Sequence, residues 1–248
     1  MKITTVKDST EKNGLNVLLY GPSSVGKTAS VASLVTAGFK PLLISAENGL
    51  YTLSVMENGK QIPVIDLTKD DEGKKIPMSK RIIKLDQVHA WLEKEKPKEF
   101  DTIVIDSLTE VNQALMSYLH EKHPAEKDAL KKYRDNNDIM RKLIKDFRDL
   151  HYNVVFISQS EVEKDDVGRR FTQPSIIGKL AQDLPYFFDF VFCMKIITDE
   201  KGIEKRIFQC DLSTDTMAKN RGGLLNKFEQ ANLGEIFTKL KALKVKGE

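Results

Sequence analysis

Gly21-Pro22-Ser23-Ser24-Val25-Gly26-Lys27-Thr28 has the residue types and spacing of G-x-x-x-x-G-K-[ST]. Gly21 and Gly26 let the backbone turn so that successive N–H groups point inward, forming an anion nest at the start of a helix. Lys27 is then placed to reach the β- and γ-phosphates of a nucleoside triphosphate, and the Thr28 hydroxyl to coordinate Mg²⁺. The context fits this chemistry. An apolar, β-branched run, Leu15–Tyr20, precedes the loop, and a helical pattern, Lys27–Ala37, follows it. The competing reading is a chance match in an ordinary strand–turn–helix, which that context disfavours.

Three more polar residues close apolar runs. Asp106 ends Thr102–Asp106 and is placed to hold the Mg²⁺ shell; capping the next helix is its other reading. The residue after it is Ser107 rather than a glutamate, so a water-activating carboxylate must come from elsewhere. Glu47, just beyond the strand Pro41–Ser45, is the candidate base, because ligands gather at the carboxyl ends of parallel strands. An exposed loop glutamate is the alternative. Gln159 follows the strand Asn153–Ser158, and an amide that donates and accepts suits a γ-phosphate sensor, against a merely structural glutamine. No N-K-x-D occurs, so guanine is unsupported and ATP with Mg²⁺ is the expected pair.

The elements that must position these residues alternate. Helical patterns cover Leu85–Glu95, Leu108–Glu121 and Ala125–Leu150 between the apolar runs, which predicts right-handed crossovers and a mainly parallel central sheet with helices on both faces. Phe190–Ile197 and Lys205–Cys210 read as a hairpin and Ser213–Met217 as a third strand, giving an antiparallel C-terminal edge. Glu161–Pro185 is polar, with room for at most a short helix. Residues 56–80 are loop-like with a short strand at Val64–Leu67. The expected organisation is a short extension over 1–13, an ATPase core over 14–225 and a Lys-rich helical tail over 226–248.

The phosphate loop, Ala46-Glu47, Asp106-Ser107 and Ser158-Gln159, in this order, resemble the RecA/RadA P-loop ATPase core, and the chain is similar to small phage-encoded RecA-like nucleotide-binding proteins, including Sak-type single-strand annealing ATPases. The resemblance spans roughly 14–223. It implies an α/β P-loop NTPase fold of RecA-like type. Met217-Ala218-Lys219-Asn220-Arg221-Gly222 resembles the Lys-x-Arg element that this family inserts into a neighbouring subunit's ATP site. Lys219 and Arg221 would then stabilise phosphoryl charge in trans; a basic turn after an edge strand is the other reading. The resemblance further implies self-association, as ring or filament, and ATP hydrolysis stimulated by single-stranded DNA during annealing or strand exchange. It adds a single-strand-binding or replication protein as a partner. DNA contact would come from the loops after Asp106 and Gln159, the second holding Lys164, Arg169, Arg170, Phe171 and Lys179, diluted by Asp165 and Asp166. The family's polymerisation element and large C-terminal domain find no match here.

Composition sets limits. With 40% hydrophobic and 30% charged residues and a net charge of +3, the chain is of ordinary globular type and does not announce a nucleic-acid binder. Lys239, Lys241, Lys244 and Lys246 could add a nonspecific contact, though such tails are commonly solubilising. Cys193 and Cys210 lack CxxC spacing, which excludes a zinc ribbon and fits a reducing cytoplasm, a host's if the protein is phage-encoded. No signal-like or membrane-length apolar run occurs, so no membrane partner is expected. His120 and His123 lack further metal ligands, Ser24 and Ser107 lack a partnered histidine, and Trp91, Phe187, Phe188, Phe190 and Phe192 read as core. Two rivals stand beside the leading reading. One is an ATP-dependent loader or helper of a helicase or recombinase without DNA contact. The other is a metabolite kinase with Arg169-Arg170 as its lid, which the Ala-Glu and Ser-Gln strand ends fit poorly.

Overall fold

A computed structural model describes residues 14–246 apart from 48, 125–127, 165–166 and 179. In chain order its elements are β1 (Asn16–Gly21), α1 (Lys27–Thr36), β2 (Pro41–Ser45), α2 (Tyr51–Ser54), β3 (Val64–Asp66), α3 (Met78–Glu95), β4 (Thr102–Asp106), α4 (Leu108–Lys122), α5 (Ala129–Arg148), β5 (Asn153–Lys164), β6 (Arg170–Pro174), α6 (Leu180–Asp183), β7 (Phe190–Thr198), β8 (Glu204–Gln209), β9 (Lys219–Asn220), β10 (Phe228–Gln230) and α7 (Leu233–Lys246). The sheet order is β10-β8-β7-β1-β5-β4-β2-β3. From β7 to β3 the strands run parallel; β8 and β10 continue antiparallel from β7. This is the mainly parallel α/β sheet with an antiparallel edge expected for a RecA-like P-loop NTPase.

The strands read as continuous apolar runs because both faces are covered. Within β4, Ile103 and Ile105 face a core with α3, α4 and α5, while Val104 faces a second core with α1 and α7. Leu18 and Tyr20 against Val17 and Leu19 repeat the alternation in β1. Each such fully buried side chain contributes about 1.5–3 kcal/mol. The sheet is therefore a rigid floor whose carboxyl edge carries the polar residues.

Several expected boundaries move. β5 runs on beyond Ser158 to Lys164 and pairs antiparallel with β6, so the polar segment after Gln159 begins as a hairpin rather than a loop. It lacks an apolar run because little of it reaches the cores: Phe171 packs partly buried against the first, while Val162 is exposed and Gln173 Nε2 donates to Glu161 Oε1 at 3.0 Å. Ser213–Met217 forms only isolated bridges, including Thr172 to Thr216, and the short strand is β9, held on β7 by Phe190 opposite Asn220. α3 starts at Met78, well before Leu85, its first turns being polar on the outer side with Ile82 buried. Trp91 is partly exposed on α3, not core, whereas Phe188, Phe190 and Phe192 are buried. The expected start of α5 at Ala125 lies outside the described residues.

The segment from Asn226 supplies β10 and α7. α7 lies on α1: Phe237 is buried and packs edge-on against Phe39 with ring centroids 5.5 Å apart. Gly234 permits this approach, since a Cβ there would stand 2.1 Å from Ser33 O. Among the described residues no helix is long and apolar enough to cross a membrane.

Candidate active site

The turn from β1 to α1 is shaped by its glycines. A Cβ on Gly21 would lie 2.6 Å from Met194 O of β7, and Gly26 takes a φ of 107°, in the left-handed region. No side chain caps α1, whereas Ser107 caps α4 through Glu110 N and Asp128 caps α5 through Lys131 N. The first-turn amides of α1 are thus left for an anion.

Register carries the remaining groups to this turn. Gly21 pairs with Gln159 across β1 and β5, and Ser45 pairs with Asp106 across β2 and β4. Glu47 follows two residues after Ser45 and is fixed there: Ala46 N donates to Asp106 O at 2.7 Å, and Ser45 Oγ donates to Glu47 O at 2.7 Å. Lys27, Thr28, Glu47, Asp106, Ser107 and Gln159 line one cleft of about 1080 Å³.

Thr28 Oγ1 donates to Asp106 Oδ2 at 2.7 Å, so the hydroxyl and carboxylate expected to share Mg²⁺ are already adjacent. That pair is a hard-oxygen donor set of the kind Mg²⁺ takes beside phosphates, and it fits the ion. Burial pushes the Asp106 carboxyl up to about 6, and the charge of Glu47 adds to this, against the Thr28 hydrogen bond and Lys27. A buried carboxylate at this cost is what a cation would relieve. The Lys27 ammonium donates to Gly21 O at 2.9 Å and Pro22 O at 2.7 Å, and its burial lowers its pKa.

Ser107 Oγ hydrogen-bonds Glu47 Oε1 while accepting from Glu110 N at 3.3 Å. Burial raises the Glu110 pKa, Glu47 adds to it, and Arg81 opposes at 3.6 Å while donating to Ala46 O at 3.1 Å. Sequence reasoning missed Ser107 as an orienting group for Glu47, although Ser107-Leu108-Thr109-Glu110 has capping-box spacing that marks the helix start. It also missed Arg206 and Met194, which line the cleft from β8 and β7 and carry no local signal.

Lys219 and Arg221 are not brought to this cleft. They lie beside Phe190 and Val191, at the amino end of β7, where it pairs with Val17 and Leu18 of β1. Lys219 Nζ donates to Pro185 O at 2.6 Å and Phe188 O at 2.9 Å, and Arg221 pairs with Asp189 at 2.6 Å. Of the residues expected to contact DNA, Lys164, Arg170 and Phe171 sit on the strands of the β5–β6 hairpin, with Arg169 in the connection between them; Lys179, Asp165 and Asp166 lie outside the described residues. Among the described residues no group of three or more His, Cys, Asp or Glu side chains gathers as a metal-ligand cluster. Cys193 and Cys210 are free and buried.

No curated protein matches the sequence. Among solved structures the chain is similar to a RadB recombinase, at 15% identity over 80% of this chain and 81% of that one with a TM-score of 0.40. It is also similar to an ATPase from the type III secretion system of pathogenic bacteria, at 12% identity over 74% and 52% with a TM-score of 0.48. A third is an uncharacterized protein from Pyrococcus horikoshii in complex with an unknown peptide, at 10% identity over 81% and 84% with a TM-score of 0.40. The AAA domain model matches residues 13–222, most of the chain and every element of the cleft but β10. With a phosphate loop, a paired Thr28–Asp106 and this sheet, the chain belongs to the AAA domain family of P-loop ATPases.

Proposed function

We propose that this protein hydrolyses Mg²⁺·ATP as a RecA-like core acting in DNA recombination or repair, of the kind encoded by phages, by binding, annealing or exchanging single strands. The observation that carries the reading is the convergence of Lys27, Thr28, Asp106, Glu47 and Gln159, from adjacent parallel strands, on one cleft. In it the α1 amides and Lys27 hold the phosphates, Lys27 exchanging its loop carbonyls for phosphate oxygens. Thr28 and Asp106 hold Mg²⁺, which when bound neutralises charge on the phosphate oxygens. Glu47, oriented by Ser107, accepts a proton from the attacking water and aligns it. Gln159, on the strand that continues into the β5–β6 hairpin, relays the phosphate state to that hairpin.

The hairpin supports DNA contact through Lys164, Arg170 and Phe171, cations beside an aromatic as single strands require. In this reading Lys219 and Arg221, which stand at the amino end of β7 away from their own cleft, act in a neighbour's cleft on self-association. The test is the rate of phosphate release from ATP with and without single-stranded DNA, with particle size measured in each condition. The reading expects DNA to raise the rate and the particle size together. A rate indifferent to DNA favours the second reading, a helper switch contacting proteins. The exposed Val162 and Val167, with Glu161 and Glu163 nearby, are the observation on its side.

A further inference from the structure

β8 lies between β7 and β10, so the backbone of Arg206 is held on two sides. It stands opposite Ile196, and its carbonyl accepts from Ala231 N at 3.2 Å. From there its side chain crosses to the phosphate loop. Nε donates to Val25 O at 3.0 Å, and Cδ lies 3.4 Å from the point a Cβ on Gly26 would occupy. Arg81, Arg134, Arg141, Arg148 and Arg221 each face a carboxylate. Among the described residues Arg206 faces none and its two Nη groups have no acceptor, while the residue lines the cleft.

The cleft is also polarised. β1 has β5, β4 and β2 on one side, bringing Gln159, Asp106 and Glu47, and β7 and β8 on the other, bringing Met194 and Arg206. A phosphate chain with its terminal group toward Glu47 and Asp106 therefore has its inner groups toward Arg206. We propose that Arg206 binds the non-transferred phosphates of a nucleoside di- or triphosphate in cis, a role separate from any cation supplied by a neighbouring copy. The inference rests on the phosphate-loop reading above. A guanidinium with Nε engaged still offers two Nη groups in a fixed fork suited to phosphate oxygens. The Val25 bond holds that fork in place before the ligand arrives, which lowers the ordering cost of binding.

The test is equilibrium binding of fluorescent methylanthraniloyl ADP and of the matching non-hydrolysable triphosphate, each with Mg²⁺, to wild type, Arg206→Gln, Arg206→Lys and Lys27→Ala. Arg206→Gln keeps an N–H donor for Val25 O but loses the charge and the fork. It is expected to weaken both nucleotides alike, by about 10- to 100-fold, with an unchanged melting temperature. Arg206→Lys is expected to fall between it and wild type. Affinities of Arg206→Gln within about twofold of wild type, a difference of under 1 kcal/mol, assign Arg206 a purely structural bond and overturn the proposal. A loss confined to the triphosphate places it on the terminal phosphate and overturns it too. Wild type that binds neither nucleotide, no better than Lys27→Ala, overturns the phosphate-loop reading itself.

Discussion

The parallel half of the sheet and its antiparallel wing place charge in different ways. In the parallel half, β1, β5, β4 and β2 all end at one edge, so any polar residue closing an apolar run arrives at the phosphate loop. In the wing, direction alternates from strand to strand. Lys219 and Arg221 come in beside the amino end of β7, away from the cleft, while Arg206, on a strand whose neighbours pin it from both sides, reaches the loop. A cation's position in the chain therefore says little about its site in the wing, whereas a strand-terminal carboxylate in the parallel half is already located.

The largest effect belongs to the loop. Lys27→Ala is expected to abolish ATP hydrolysis, a loss of about 10³-fold or more in phosphate release, and retained turnover would detach the cleft from catalysis. Next comes the wing. Lys219→Ala/Arg221→Ala should cost about 10³-fold as a pure variant, and mixed with wild type it should depress activity beyond its own share. Rates that follow simple dilution would mean that these cations serve only their own chain, through Phe188 O and Asp189. Glu47→Gln should bind nucleotide at wild-type affinity yet lose about 10²-fold in turnover; normal turnover would move the base elsewhere.

Stability separates the halves again. Phe237→Ala, on the helix that follows the wing, removes a buried ring packed on Phe39 and should destabilise by about 3–5 kcal/mol in urea unfolding. Asp106→Asn should do the reverse. The folded-state pKa of Asp106 is raised to about 6 from 3.8, so its ionised form opposes folding above that range. The metal-free variant should gain on the order of 1–3 kcal/mol at pH 7. That gain should fade as pH drops through about 6 and vanish below about 4, where the wild-type group is neutral in both states. A variant no more stable than wild type at pH 7 would remove burial as the source of the shift.

The sequence by itself determined the phosphate loop, the three polar residues that close apolar runs and the alternation that builds a parallel sheet, because each rests on local residue types and on the long apolar runs of doubly covered strands. Asp106 and Gln159 were legible for that reason, and so was Glu47. Only the tertiary structure decided that Ser107 orients Glu47, that Arg81 and Glu110 stand behind it, and that Arg206 lies over Gly26. These contacts join segments through sheet register and helix packing, and no spacing in the chain encodes them. The β5–β6 hairpin escaped for a related cause. Among the described residues only Phe171 of the hairpin packs on a core, so the pairing is written mainly in polar cross-strand contacts such as Gln173 with Glu161 and leaves no hydrophobic period to read.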